Sequence, residues 1–374
     1  MFSRTTDHAA AFSLIVAAAS LFAAGCSTPL SPQDPTDIGS WMELYDVPGV
    51  SVAVIRDFKL DYVEVHGVKS RSTGEPVTAQ TLFQAASMSK GVSAVGVLSL
   101  VQEGVVSLDT EVNDYLTSWQ LPHNSLQDTE HVTLKRLLSH TAGTTVSGFR
   151  GYRYSEPVPT LIQILNGEPP ANSPPVLVDL VPGNQFRYSG GGYEVMEQAV
   201  RDVTGEAYPD FIRERVLQPI GMDNSTYEQP LPTSLWDSAA SGYYADGVAV
   251  PGRHHIYPEM AAAALWTTPT DLARFLIELQ LSLRGESNRV LSTESAELLL
   301  TEVKRDYSLG FDLWIHRGQP YFGHGGANDG FRGRMVAHRT AGYGVVILTN
   351  SDNGLELSGA VLRLIGEREG WPGY

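Results

Sequence analysis

Cysteine is almost missing. Cys26 is the only one in 374 residues, so no intramolecular disulfide can brace the fold. Lysine is scarce too, limited to Lys59, Lys69, Lys90, Lys135 and Lys304. With 26 basic against 42 acidic residues the formal net charge is −16. That field repels polyanions, whose binding depends on Lys and Arg neutralising phosphates, so nucleic acid is not expected as a partner. The apolar stretch Ala10 to Ala24 is too short to span a bilayer comfortably. There is no His-Glu-x-x-His element, and His254-His255 lacks the spacing of a metal site. Nor is there a Gly-x-Ser-x-Gly elbow or a dinucleotide-binding glycine fingerprint after a strand. No metal and no cofactor are expected.

What remains is a chain of ordinary globular composition, 42% apolar and 18% charged, long enough for one large two-lobed domain or two domains. Its N-terminus reads as export: Arg4 precedes the apolar stretch, and residues 1–25 have the form of a signal peptide. Cys26 follows Leu21-Phe22-Ala23-Ala24-Gly25, which resembles a bacterial lipobox in which the cysteine is lipidated; Ser27 in place of Asp resembles an outer-membrane address. The chain is therefore expected in the periplasm or lipid-anchored to the cell envelope. Residues 26–40, rich in Pro and polar side chains, read as a tether.

Strand-forming sequence lies at both ends of the remaining chain, 41–374: Val50 to Ile55 and Tyr62 to Val68, then Phe311 to Ile315, Gly333 to His338 and Gly344 to Leu348. Between them the apolar spacing is helical, over Val92 to Glu103, Leu134 to Leu138, Tyr193 to Val203, Pro209 to Leu217 and Pro269 to Leu281. Thr268-Pro269-Thr270-Asp271 is a helix start, with an N-cap hydroxyl and Pro at the first helical position. This pattern predicts an α+β fold: an antiparallel sheet built from both termini and flanked by helices, with an inserted, mainly helical lobe. The expected sheet lobe covers about 41–90 and 285–374, and the helical lobe about 91–284.

Ser87 and Lys90, in Ser87-Met88-Ser89-Lys90, stand at i and i+3 and so share a helix face. A serine hydroxyl is a poor nucleophile without a base, and burial lowers a lysine pKa until its amine can accept the proton. Phe83-Gln84-Ala85-Ala86 before the pair and Gly91-Val92-Ser93-Ala94-Val95-Gly96-Val97 after it should bury Lys90, and a buried lysine needs a reason.

In sequence order come Leu137-Leu138-Ser139-His140-Thr141-Ala142-Gly143, Tyr188-Ser189-Gly190, Gln218-Pro219-Ile220-Gly221-Met222, Leu265-Trp266-Thr267-Thr268-Pro269-Thr270-Asp271-Leu272 and Gly323-His324-Gly325-Gly326. Together with Ser-x-x-Lys, itself a signature of penicillin-recognising enzymes, these resemble the serine β-lactamase-like hydrolases related to class C β-lactamases, DD-peptidases and family VIII esterases. The resemblance runs from about Val47 to the last strand. It implies that Tyr188 shares a proton network with Lys90 as general base and then general acid, with Lys90 favouring its phenolate. It also implies that His324, Gly325 and Gly326 occupy the place of the family's Lys-Thr-Gly strand, and that the oxyanion is held by the N–H groups of Ser87 and Ala327. His140 is read as a structural turn residue.

Two departures bear on substrate. Gly190 stands where the family has an Asn whose amide contacts the substrate, and His324 replaces a permanently charged Lys. Efficient β-lactam hydrolysis is therefore not favoured. Arg332 and Arg334 alternate on a strand, so one of them could restore a carboxylate clamp. The expected function is a serine hydrolase working through an acyl-enzyme on a small ester or amide. A D-alanyl-D-alanine carboxypeptidase or β-lactamase is the alternative, with a cell-wall peptide among the possible substrates. A non-catalytic penicillin- or peptidoglycan-binding lipoprotein is the reading from another class.

Overall fold

The structure, a computed structural model, describes residues 35–374, so Cys26 and the leader lie outside the described residues. Helix formation overlaps the expected tether. Asp37 caps helix α1 (Ile38–Tyr45) by accepting the N–H of Ser40 at 2.9 Å, and Ile38, Trp41 and Met42 are buried.

Strands β1 (Gly49–Arg56) and β2 (Lys59–Gly67) form the first hairpin. The short strands β3 (Phe83–Gln84) and β4 (Trp266–Thr267) pair separately. The C-terminal part supplies β5 (Asp312–His316), β6 (Gln319–Asn328), β7 (Phe331–His338) and β8 (Gly344–Thr349). They assemble into one antiparallel sheet in the order β2-β1-β8-β7-β6-β5, so the two ends of the chain meet at the β1–β8 pair. In sequence, β1 and β8 read as continuous apolar runs because helices cover both faces of the sheet centre; β2, at the edge, alternates between exposed and half-buried positions.

The intervening chain forms α2 (Ser89–Gln102), α3 (Leu134–Leu138), α4 (Leu161–Asn166), α5 (Gly190–Thr204), α6 (Tyr208–Ile212), α7 (Met260–Ala263), α8 (Pro269–Leu283) and α9 (Thr293–Leu299); α10 (Gly354–Arg368) follows the last strand. Helix α2 is buried all round. Its small residues are a packing requirement: a Cβ on Gly91 would stand 2.8 Å from the Phe311 ring, and one on Gly96 2.7 Å from Ile212. On the opposite face of the sheet α1 and α10 close a second core around Val52, Val336 and Ile347.

One boundary differs from the sequence reading. Helix α8, expected in the helical lobe, lies on the sheet against β1, β2, β7 and β8, and Gln280 donates to the His338 carbonyl at 2.6 Å. Its apolar stripe does not reveal which partner it covers. No helix of the described residues is long and apolar enough to cross a membrane.

Candidate active site

Ser87 sits in a 3₁₀ turn, Ala86–Met88, that runs into α2. Ala86 holds φ of 51°, a left-handed conformation that costs a residue with a Cβ about 1–3 kcal/mol. The surroundings impose it: Ala85 N–H donates to the Leu265 carbonyl at 2.8 Å, Ser89 Oγ donates to the Ala86 carbonyl at 2.6 Å, and Leu265 N–H donates to Ser89 Oγ at 3.1 Å. The turn leaves Ser87 half-buried while its neighbours are buried.

One turn on, Lys90 is only 2% exposed. Its Nζ donates to Ser87 Oγ at 3.2 Å and to the Ala262 carbonyl at 2.8 Å. Burial pulls its pKa down to about 7, with Glu194 opposing the shift. Free amine and ammonium are thus comparably populated at neutral pH.

Tyr188 arrives from the N-terminal end of α5, where Ser189 is the N-cap and accepts the Gly192 N–H at 2.9 Å. Its ring lies 4.1 Å from that of His140, and Lys90 Nζ is 5.0 Å from the ring centroid. Tyr188 also hydrogen-bonds Ser87, but burial prevails and raises its pKa further above the ordinary phenol value. The expected phenolate is thus not favoured, because desolvation holds the phenol form. His140, at φ 58°, accepts the Ser189 N–H at Nδ1 (3.1 Å), as its reading as a structural residue anticipates.

The opposite wall is β6. A Cβ on Gly326 would fall 2.2 Å from the Ala85 carbonyl oxygen, so only glycine lets the strand approach the nucleophile turn this closely. Strand β5 pairs with β6 only up to Gly323, leaving the remainder without a strand on that side. The ladder with β7 closes around Asn328 and Phe331, and Arg339 N–H donates to the Pro320 carbonyl at 2.9 Å. Alternation along an antiparallel pair then turns the N–H and C=O of Gly325 and Ala327 outward, to the open edge.

His324 does not offer a charge to this cleft. Its Nδ1 lies 2.6 Å from the Gly325 carbonyl and its Nε2 3.2 Å from the Tyr307 hydroxyl; burial, helped by Lys90, brings its pKa down to about 3. Both ring nitrogens are already satisfied, which weakens the expected direct contact with substrate. The two arginines face away. Gly333, between them, points at Met88, so Arg332 and Arg334 lie on the sheet's other face. Arg332 Nη1 is 2.9 Å from Asp352, and Arg334, 3% exposed, lowers the pKa of Asp312, which burial pushes up to about 7. Arginine charge on this strand serves internal carboxylates rather than a substrate clamp.

Sequence reasoning missed several residues around the centre. Phe149 stands against Gly190, where a Cβ would meet its ring at 3.0 Å, so an aromatic wall accompanies the missing Asn. Tyr193 and Tyr307 pack around His140 with tilted rings, their centroids 5.3 and 4.9 Å from that of the imidazole. Glu194, Glu197 and Glu259 are fully buried beside Lys90's helix contacts. The acids did leave a signal: Glu194 and Glu197 interrupt the apolar residues Tyr193, Val195, Met196 and Val200 of α5. Among the described residues no His, Cys, Asp and Glu group is arranged to hold a metal ion.

The Beta-lactamase family model matches residues 38–368. The chain belongs to the beta-lactamase family. Within it, the chain is similar to Penicillin-binding protein 4 of Amycolatopsis lactamdurans, at 27% identity over 340 residues, covering 84% of this chain and 86% of that one. Protein flp of Staphylococcus aureus strain MW2 is 24% identical over 81% of this chain, which spans 60% of that longer protein. Two solved structures share the fold. A penicillin-binding protein homologue from Pyrococcus abyssi has a TM-score of 0.69 at 22% identity, covering 88% of this chain and 75% of that one. The D-amino acid amidase of Ochrobactrum anthropi SV3 has a TM-score of 0.69 at 21% identity, covering 89% and 98%. The beta-lactamase fold thus carries serine hydrolase-like chemistry in this chain's relatives.

Proposed function

We propose that the chain is a serine hydrolase that forms an acyl-enzyme on Ser87 from a small ester or amide. The observation that carries this reading is the contact of Lys90 Nζ with Ser87 Oγ at 3.2 Å, combined with a lysine pKa drawn down to about 7. The neutral amine takes the Ser87 proton as Oγ attacks the carbonyl carbon, giving a tetrahedral oxyanion and a Lys90 ammonium. The N–H groups of Ser87, at the start of a helical turn, and of Ala327, on the open strand edge, are the oxyanion donors. Tyr188, kept as a phenol and hydrogen-bonded to Ser87, passes a proton to the leaving alcohol or amine and is reprotonated from Lys90. Water then attacks the acyl carbon by the reverse proton route, releasing the acid and regenerating Ser87.

A second reading, amide cleavage in a D-alanyl or D-amino acid substrate, is supported by the unpaired stretch of β6, where an extended substrate could add as a further strand. Two structural neighbours support the same reading, D-alanine carboxypeptidase AmpC of Burkholderia cenocepacia and the Ochrobactrum amidase. The leader and Cys26 support export with a lipid anchor; palmitate labelling that is equal in wild type and Cys26→Ala would remove the anchor.

The test of the main reading is mass spectrometry of residues 35–374 after exposure to a fluorophosphonate, with p-nitrophenyl ester hydrolysis in parallel. An adduct on Ser87 is expected, together with a kcat/KM that rises through about pH 7 as Lys90 loses its proton. No adduct, and equal turnover by Ser87→Ala and wild type, would return the chain to the non-catalytic binding class. Nitrocefin, D-alanyl-D-alanine peptides and D-amino acid amides rank the substrates.

A further inference from the structure

Helix α5 carries two carboxyls that take no part in the proton route from Ser87 through Lys90 and Tyr188. Glu194 and Glu197 are both fully buried. Glu194 Oε1 accepts the Ala262 N–H at 3.1 Å, and Glu197 Oε2 accepts the Ala261 N–H at 2.8 Å. The carbonyls of the same two residues face the nucleophile helix: Lys90 Nζ donates to Ala262 at 2.8 Å, and Ser93 Oγ donates to Ala261 at 3.1 Å. Residues 261–262 are therefore clamped between the carboxyls and α2, and a displaced Glu194 would displace the acceptor that aims Lys90.

The remaining oxygens, Glu194 Oε2 and Glu197 Oε1, are reached by no hydrogen-bond donor. The two carboxyls stand three residues apart on one helix and are anchored on consecutive N–H groups, so they are close neighbours in a site without water, and two such carboxyls cannot both ionise. We propose that Glu194 and Glu197 are a proton-sharing carboxyl pair that positions Lys90 and supplies the single negative charge balancing its ammonium. The proposal rests on Lys90 as the base of acylation. When Ser87 gives up its proton, positive charge appears on a lysine out of reach of bulk water, and the pair is its fixed counter-charge.

The other groups facing these residues are compatible with this balance. Around Lys90, His140 and His324 are held neutral by burial, and burial keeps Tyr188 and Tyr193 as phenols. Around the pair, Tyr208 and Tyr227 are likewise phenols, and burial raises Glu259 to about 8, so it is largely uncharged at pH 7. Arg201 Nη1 lies 3.7 Å from Glu197 Oε1 but its side chain is 41% exposed, so water screens it. Burial also raises Glu194 and Glu197 themselves, as expected for two acids that cannot both ionise.

The test uses ¹³C-lysine NMR on the enzyme, where five lysines make the spectrum assignable. Glu194→Gln and Glu197→Gln each leave one carboxyl able to ionise, so the Lys90 midpoint stays near the parent value. The double variant keeps the shape and the hydrogen bonds but carries no charge. Its Lys90 midpoint falls by about one pH unit, and the acid limb of ester hydrolysis moves to lower pH with it. A double variant that melts earlier but titrates like the parent overturns the proposal. If the double variant does not fold, ¹³C-glutamate carboxyl signals decide. In a Glu259→Gln background, which removes the other buried glutamate raised by burial, a carboxyl still titrating above pH 6 supports the pair, and carboxyls all ionised below that pH overturn it. Lys90 titration does not require turnover, so an inactive protein with a coupled Lys90 would defeat the hydrolase reading alone.

Discussion

The two walls of the cleft are built on opposite principles. The helical wall holds Ser87, Lys90, Tyr188 and the Glu194–Glu197 pair, groups proposed to act through their side chains. The strand wall turns backbone N–H and C=O groups to the cleft, while its His324 is neutral and its Arg332 and Arg334 face inner carboxylates. Side-chain chemistry tolerates almost no substitution. Backbone chemistry tolerates many, provided the strand stays in place, and His324, neutral and bonded to Tyr307 and the Gly325 carbonyl, fits that tolerance.

Removing the helical wall's chemistry should have the largest effect. Ser87→Ala is expected to lose the covalent adduct and about 10³-fold or more in ester kcat, with Lys90→Met close behind. Both are measured against a melting curve, since Met fills the buried Lys90 site without charge. If Lys90→Met kept near-parental turnover, the division of labour between the walls would fail.

Next is a change that breaks the strand wall without removing a functional group. Gly326→Val pushes β6 off the Ala85 carbonyl and moves the Ala327 N–H. The cost should be ~10²-fold in kcat, the scale of one oxyanion donor, with KM changed far less. A rise in KM with kcat unchanged would mean that the edge binds substrate uniformly rather than stabilising the oxyanion.

A pH experiment separates the walls again. With Lys90 as the proposed base, kcat/KM should rise through about pH 7, and His324→Gln should leave the midpoint in place because the imidazole is already neutral there. Glu259→Gln probes stability instead. A carboxyl raised to about 8 stabilises the fold below its unfolded value and loses that contribution as pH rises through 8. The amide variant should therefore gain most in Tm over the parent at pH 9, less at pH 6 and little at pH 4.

The same contrast governs how much of the molecule is legible in its sequence. The sheet from both termini follows from β-branched runs of period and length that only strands satisfy, and Ser87, Lys90 and Tyr188 follow from side-chain identity at defined spacing. Strand β6 between Gln319 and Asn328 is less legible, because its glycines and histidine lack strand propensity; close approach to Ala85 overrides it. The placement of α8 and the pairing of Glu194 with residues 261–262 depend on contacts nearly 70 residues apart or more, for which a single helix pattern holds no information. The arginine pair has the expected period but the opposite face, since alternation says that two side chains agree and not which way they point.

The smallest effect tests that face directly. Arg332→Gln breaks the pair with Asp352, whose side chains are 22% and 18% exposed, and should cost about 1–2 kcal/mol of stability, between exposed and buried ion pairs. Because the guanidinium points away from Met88 and the nucleophile turn, KM for a substrate bearing a free carboxylate should change no more than KM for its methyl ester. A carboxylate-specific rise in KM would mean that Arg332 swings around the strand end to meet substrate. The strand wall would then recognise charge through a side chain after all, and the contrast between the walls would reduce to the catalytic step alone.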